Sequence, residues 1–124
     1  VKIFIVEDDE SRIEIFKEKF EDIPEAELFI ANTADEGKKI LEENKGVMWD
    51  MIFLDHDLGD RVYVESADPN TGWQVAKYIR DNGIKYYNVI THSLNTMGAK
   101  SIQSMLEGCN HIPFTMLKNL EFEF

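Results

Sequence analysis

Three short apolar runs in this 124-residue sequence end on side chains that could do chemistry. Lys2–Val6 runs into Glu7-Asp8-Asp9-Glu10, residues 51–54 into Asp55-His56-Asp57, and residues 88–91 into His92-Ser93-Leu94-Asn95. Carboxylates brought together repel one another, and a hard divalent cation relieves that repulsion. Mg²⁺ takes one or two carboxylates together with water and phosphate oxygens. Asp8, Asp9 and Asp55 are therefore the expected holders of Mg²⁺ (or Mn²⁺). His92 or His56 could act as general acid or base, because imidazole titrates near neutrality. Ser93 and Asn95 could donate hydrogen bonds to phosphate oxygens. Each group also has a plainer reading. Asp9 could cap the helix that follows, Ser93 and Asn95 could cap another, His92 could be a satisfied core histidine, and His56 a surface loop residue. Asp55 resists such a reading, since ending a buried strand on a carboxylate is costly unless the charge is paired.

These groups can meet only if the intervening chain brings the three run ends together. Lys2–Val6 is short, apolar and rich in β-branched residues, the pattern of a buried parallel strand. Ile13, Phe16 and Phe20 recur at helical spacing, which predicts an amphipathic first helix closed before Pro24. Residues 28–30 form a second strand. Thr33 and Glu36 make a capping box for a second helix carrying Ile40 and Leu41. Residues 51–54 form the third strand. Residues 59–70 are polar and read as a long loop, with a small extended turn expected at Val62-Tyr63-Val64 and a lid as its candidate role. Thr71-Gly72-Trp73-Gln74 is a second capping box. Its helix carries Trp73, Ala76 and Ile79 and ends near Gly83. A fourth strand over 88–91, a fourth helix over 97–107, a weak fifth strand at His111-Ile112-Pro113 and a short last helix within 115–124 complete the pattern. Trp73, Phe16, Phe20 and the methionines are expected in the core, and Cys109 as a small buried hydrophobe.

Five alternations of strand and helix imply an α/β fold, a doubly wound five-stranded parallel sheet with right-handed crossovers. With strand order 2-1-3-4-5, strands one, three and four are neighbours, and their carboxyl ends meet in one crevice at the switch point of the sheet.

Bulk properties agree with a single domain over residues 1–124. The sequence is 44% hydrophobic and 30% charged, which argues against disorder. A net charge of −11 repels nucleic-acid phosphates, so duplex DNA binding is not expected, and any phosphate-bearing partner needs a bound cation or a local basic patch. The one cysteine, Cys109, rules out an intrachain disulfide and suits a reducing cytosol. No apolar run is long enough to span a bilayer and no signal peptide opens the sequence, so no membrane partner and a cytoplasmic location are expected.

At these residues the sequence resembles the receiver domains of two-component response regulators, over nearly its whole length. KIFIVEDD looks like the receiver opening, with Asp8 and Asp9 at the metal-binding acid pair. MIFLDHDLG looks like the third strand, with Asp55 at the phospho-accepting position and Asp57 where a backbone carbonyl meets the metal. Ser93 matches the Ser or Thr that bonds the phosphoryl group. Ile112-Pro113-Phe114 falls on the Lys-Pro-Phe of receivers, so an apolar residue replaces the lysine that pairs with the phosphoryl group. The combination LDHDLG, the long loop to Thr71-Gly72 and HSLNTMGA looks more like a second group, the receiver-like family associated with cyclic-phosphate processing and RNA repair. That resemblance implies a flavodoxin-like (βα)5 fold and a metal site of Asp8, Asp9, Asp55 and Asp57. It further implies roles for His56, His92, Ser93 and Asn95, and a phosphate-bearing small molecule or RNA end as partner. The receiver resemblance implies instead a phosphodonor or effector protein and phosphorelay signalling through Asp55.

Overall fold

The computed structural model describes all residues except Asp60 and Val62. Its five strands are β1 (Lys2–Val6), β2 (Glu27–Ala31), β3 (Met48–Leu54), β4 (Lys85–Thr91) and β5 (Asn110–His111). The helices are α1 (Glu10–Phe20), α2 (Ala34–Glu43), α3 (Gly72–Asp81), α4 (Thr96–Met105) and α5 (Phe114–Leu117). All described strand pairs are parallel, in the order β2-β1-β3-β4-β5. This is the doubly wound sheet that the alternation of elements implies.

Alternation along the strands decides which helices cover which face. Phe4, Val6, Ile52 and Leu54 point to one side, where Leu41 of α2, Val75 and Ile79 of α3 and Ile102 of α4 pack on them. Ile3, Ile5, Met51 and Phe53 point to the other, against Phe16 and Phe20 of α1 and Phe114 and Leu117 of α5. Both faces of the central strands are therefore dry, which is why they read as unbroken apolar runs.

Local signals account for most helix ends. Thr33 accepts from the Glu36 N–H at the start of α2, as its capping box predicts. Gly83 follows α3 with φ +61°, a conformation that favours glycine. Thr71 stands at the N-cap of α3 but makes no capping bond. Its hydroxyl donates instead to the Ser66 and Asp68 carbonyls, so this second box serves the loop rather than the helix. Within the loop, Val62 lies outside the described residues, and Tyr63 and Val64 belong to no strand. The methionines divide: Met51 is buried, whereas Met97 and Met116 face solvent because they lie on the outer sides of α4 and α5. The last helix is a single turn, yet Phe122 beyond it packs on Phe20 and Phe53.

Candidate functional site

The register of the sheet sets the site. Val6 pairs with Leu54, and Leu54 with Thr91, so these residues form one row across the three central strands. The next residues in each chain are Glu7, Asp55 and His92. The ladder continues through them: Asp55 N–H donates to the Val6 carbonyl at 3.0 Å, and His92 N–H to the Leu54 carbonyl at 3.2 Å. Ile112 extends this row on the far side, its N–H donating to the Thr91 carbonyl. Acidic and imidazole groups are thus delivered to the carboxyl edge of the sheet, at the switch point between β1 and β3.

A cleft of about 330 Å³ opens there. Its walls include Glu7, Asp8, Asp9, Asp55 and Asp57 from the strand ends and Ser93 and Asn95 from the turn after β4, with Arg12 of α1 and Arg61 of the long loop beside them. Six of the eight residues singled out from the sequence, Asp8, Asp9, Asp55, Asp57, Ser93 and Asn95, line this cleft. The two histidines do not line it.

Asp55 is buried, and its carboxyl is pushed up to about 8, first by loss of water and then by the charges of Glu7, Asp57 and Asp8, with Arg12 opposing. Glu7 is fully buried, yet its carboxyl lies below the ordinary range. Burial pushes it up, but the hydrogen bond and charge of His92, the Asp9 backbone N–H and Arg12 outweigh that. Both Glu7 oxygens are occupied: one accepts from His92 Nε2 at 2.9 Å, the other from the Asp8 and Asp9 N–H groups at 3.0 and 3.1 Å.

Asp9 has a double position. It lines the cleft, and its carboxylate caps α1, accepting from the Arg12 N–H and the Ser11 hydroxyl, which hold it below its ordinary range. Asp57 is similarly engaged. Its carboxylate accepts from His56 Nδ1 at 2.8 Å, Asn95 Nδ2 at 3.1 Å, and the Tyr63 and Val64 N–H groups at 2.6 and 3.1 Å. Burial pushes it up, but these bonds together hold it low. With its side chain tied to the loop, the part of Asp57 left for a ligand is its backbone.

His92 is fully buried between the rings of Phe16 and Phe114 and reaches the cleft through Glu7. His56 is also buried, bridging Asp57 and the Ser66 hydroxyl. Helix α4 lies so close to it that a Cβ on Gly98 would stand 2.4 Å from the imidazole. Asn95 caps α4 through Oδ1, accepting from the Gly98 N–H, while its amide nitrogen holds Asp57. Ser93 accepts from the Asn95 N–H, and its carbonyl accepts from His111. Thr71-Gly72 closes the back of the site: a Cβ on Gly72 would fall 1.8 Å from the Asp55 carbonyl, so only glycine allows α3 to begin there.

The sequence names Glu7 only as part of the acidic run, not as a site residue, and does not single out Arg12. Glu7 was legible as the residue following β1 in the same row as Asp55, once the strand is taken to end at Val6. Arg12 is the first cation after the acidic run, one turn before the core residue Phe16. Glu7, Asp55 and His92 each place a possible ligand atom within 4.8 Å of the others. Because His92 Nε2 already serves Glu7, the donor set facing the cleft is carboxylate oxygen, which suits a hard cation such as Mg²⁺ or Mn²⁺.

Solved receiver domains share the fold at low sequence identity. The signal receiver domain of a LuxO repressor protein from Vibrio parahaemolyticus is 23% identical, with TM-score 0.66 over 94% of this chain and 83% of that one. The Mn²⁺-bound form of the response regulator Rcp1 is 19% identical, with TM-score 0.66 over 94% and 88%. The response regulator TrrA from Thermotoga maritima, solved with Mg²⁺ and BeF, is 17% identical, with TM-score 0.65 over 90% and 84%. Comparison with curated proteins gives no match. The fold is thus that of receiver domains. The sequence profile of the cyclic-phosphate processing receiver domain matches residues 3–108, and the chain belongs to that family.

Proposed function

We propose that the protein is a divalent-metal-dependent phosphoesterase that processes phosphate ends of nucleotides or RNA, including 2′,3′-cyclic phosphates. The observation that carries this reading is the buried Asp55 carboxyl, held near 8 by burial and by its acidic neighbours at the floor of the cleft. Such a carboxyl is poorly placed as a free anion and well placed as the ligand of a cation. Asp8 and Asp55, with the backbone of Asp57, would hold Mg²⁺ or Mn²⁺. When bound, the cation supplies charge for the phosphoryl oxygens. A chain of net charge −11 needs such a cation to accept a phosphate at all.

The remaining roles belong to the protein. Ser93, at the cleft wall, donates to a phosphate oxygen, and Asn95 fixes Asp57. The Glu7–His92 pair is the candidate acid–base system, since the imidazole meets the cleft through that carboxylate. His56 reaches it only through Asp57. Hydrolysis of a 2′,3′-cyclic nucleotide, and of an RNA with that terminus, is measured with Mg²⁺ or Mn²⁺ for wild type and Asp55→Asn. Metal-dependent turnover that is lost in the variant supports the reading. Absence of turnover on both substrates removes it.

A second reading is favoured by the place of Asp55 at the end of β3 with Ser93 beside it: a phosphoacceptor domain in which Asp55 takes a phosphoryl group from a phosphodonor and signals to an effector protein. It predicts a covalent adduct on Asp55 after incubation with acetyl phosphate and Mg²⁺. Intact-mass spectra without an adduct, under conditions that label a control receiver, eliminate it.

A further inference from the structure

Arg12 is held at the cleft with its hydrogen-bonding capacity unspent. Its guanidinium carbon stands 5.2 Å from the centre of the Phe114 ring, within cation–π range. It lies 3.7 Å from Glu7 Oε1 and 3.9 Å from Asp55 Oδ2, close enough for charge attraction but beyond hydrogen-bond range. Glu7 is already satisfied by His92 and two backbone N–H groups. Among the described residues, the Arg12 guanidinium donates no hydrogen bond, although its side chain is only 25% exposed. A planar fork of five N–H donors, partly desolvated, is the complement of a phosphate group.

The other cation at the cleft is differently committed. Arg61 places two nitrogens on the Asp68 carboxylate, at 2.9 and 3.1 Å, and donates to the Leu58 and Asn70 carbonyls. Its fork is closed by the loop it braces. Ile112, next to His92 along the row, is apolar and packs with the cluster around Phe16 and Phe114. Among the described residues, the positive charge available to an anion in this cleft is therefore Arg12.

We propose that Arg12 is a phosphate-binding residue of the site, its guanidinium donating to the non-bridging oxygens of the bound phosphate group. This rests on the phosphate-handling reading above and adds to it the protein's own anion-binding group. It also explains how a cleft with five carboxylates in its walls tolerates a phosphate. The cation is fixed by α1 and Phe114 on one side, leaving the strand ends for the metal.

The test uses inorganic phosphate as the probe, titrated into wild type, Arg12→Gln and Arg12→Lys in the presence of Mg²⁺ and followed by NMR. Losing two charge-assisted hydrogen bonds weakens phosphate about 10- to 100-fold in Arg12→Gln. Arg12→Lys, which keeps the charge and loses the fork, loses less. In wild type the Arg12 Nε–H resonance moves as phosphate is added. That readout does not depend on any variant folding, and a purely structural ion pair would not produce it. Phosphate affinity unchanged in Arg12→Gln, or a stationary Nε–H resonance in a wild type that binds phosphate, overturns the role of Arg12 and leaves the phosphate-handling reading standing. A wild type that binds no phosphate overturns both.

Discussion

Replacing Asp55 by Asn should stabilise the metal-free protein, and the gain should grow with pH. The Asp55 carboxyl has an ordinary value of 3.8 and a folded value of about 8. Below pH 4 both states carry the proton, and the carboxyl is neutral in each. Between about 4 and 8 the unfolded chain releases the proton while the folded chain keeps it, so stability falls as pH rises through that window. At 1.36 kcal/mol per pH unit, the penalty reaches about 4 kcal/mol at pH 7. Asn has nearly the same shape and no charge to desolvate, so Asp55→Asn escapes this penalty. Urea unfolding in EDTA from pH 4.5 to 8.5 measures it. The stability gap between variant and wild type should be small at the acid end, widen to several kcal/mol by pH 8, and then level off. Mg²⁺ should close the gap from the other side, because a ligand at a hundred times its dissociation constant stabilises the protein that binds it by about 2.7 kcal/mol. A variant no more stable than wild type at pH 7, or a gap independent of pH, refutes the electrostatic account of Asp55.

Further expectations test the scaffold around the cleft. Gly72→Ala would set a methyl group against the Asp55 carbonyl, so it should cost at least about 2 kcal/mol in urea unfolding and weaken Mg²⁺ binding. His56→Ala removes a buried ring with both nitrogens bonded and should cost about 2–4 kcal/mol, with faster amide exchange in residues 63–71. His92→Ala should lower turnover about 10²–10⁴-fold through the Glu7–His92 pair, and an unchanged rate removes that pair from the chemistry. Asp68 is held at about 2 by its Arg61 and Asn70 bonds, so its brace on the loop is present above pH 3.8 and lost as pH falls through 2. In Arg61→Ala, an NMR titration should return Asp68 toward its ordinary value.

The sheet was legible because each strand is a short apolar run punctuated by polar residues, and the order of elements allows few topologies. The site was legible at the level of the row. Three acidic or histidine-bearing segments each follow a strand, and parallel pairing must bring their starts together. Hydrogen-bond allocation was not. Asp9 follows a strand and precedes a helix, and both roles fit its sequence position; the structure assigns its carboxylate to the cap. His56 stands between Asp55 and Asp57 in sequence and His92 beside Ser93, yet both imidazoles turn into the protein, His56 onto Asp57 and Ser66 and His92 onto Glu7. Arg12 could be placed only once α1 was seen to lay its first turn over the cleft. The strands β3 and β4 begin three residues before the runs over 51–54 and 88–91 because Met48 and Trp49 pair with Lys85 and Tyr86, and the Asp50 carboxylate between them and the core accepts from the Lys2 N–H.

The central claim is that this cleft holds a divalent cation, and Mn²⁺ tests it directly through paramagnetic broadening of amide resonances. Added in small amounts, Mn²⁺ should first erase signals of residues 7–9 and 55–57, with weaker effects at 93–95, and Asp55→Asn should abolish that pattern. Broadening spread over the acidic surface, or a cleft pattern that persists in Asp55→Asn, would contradict it.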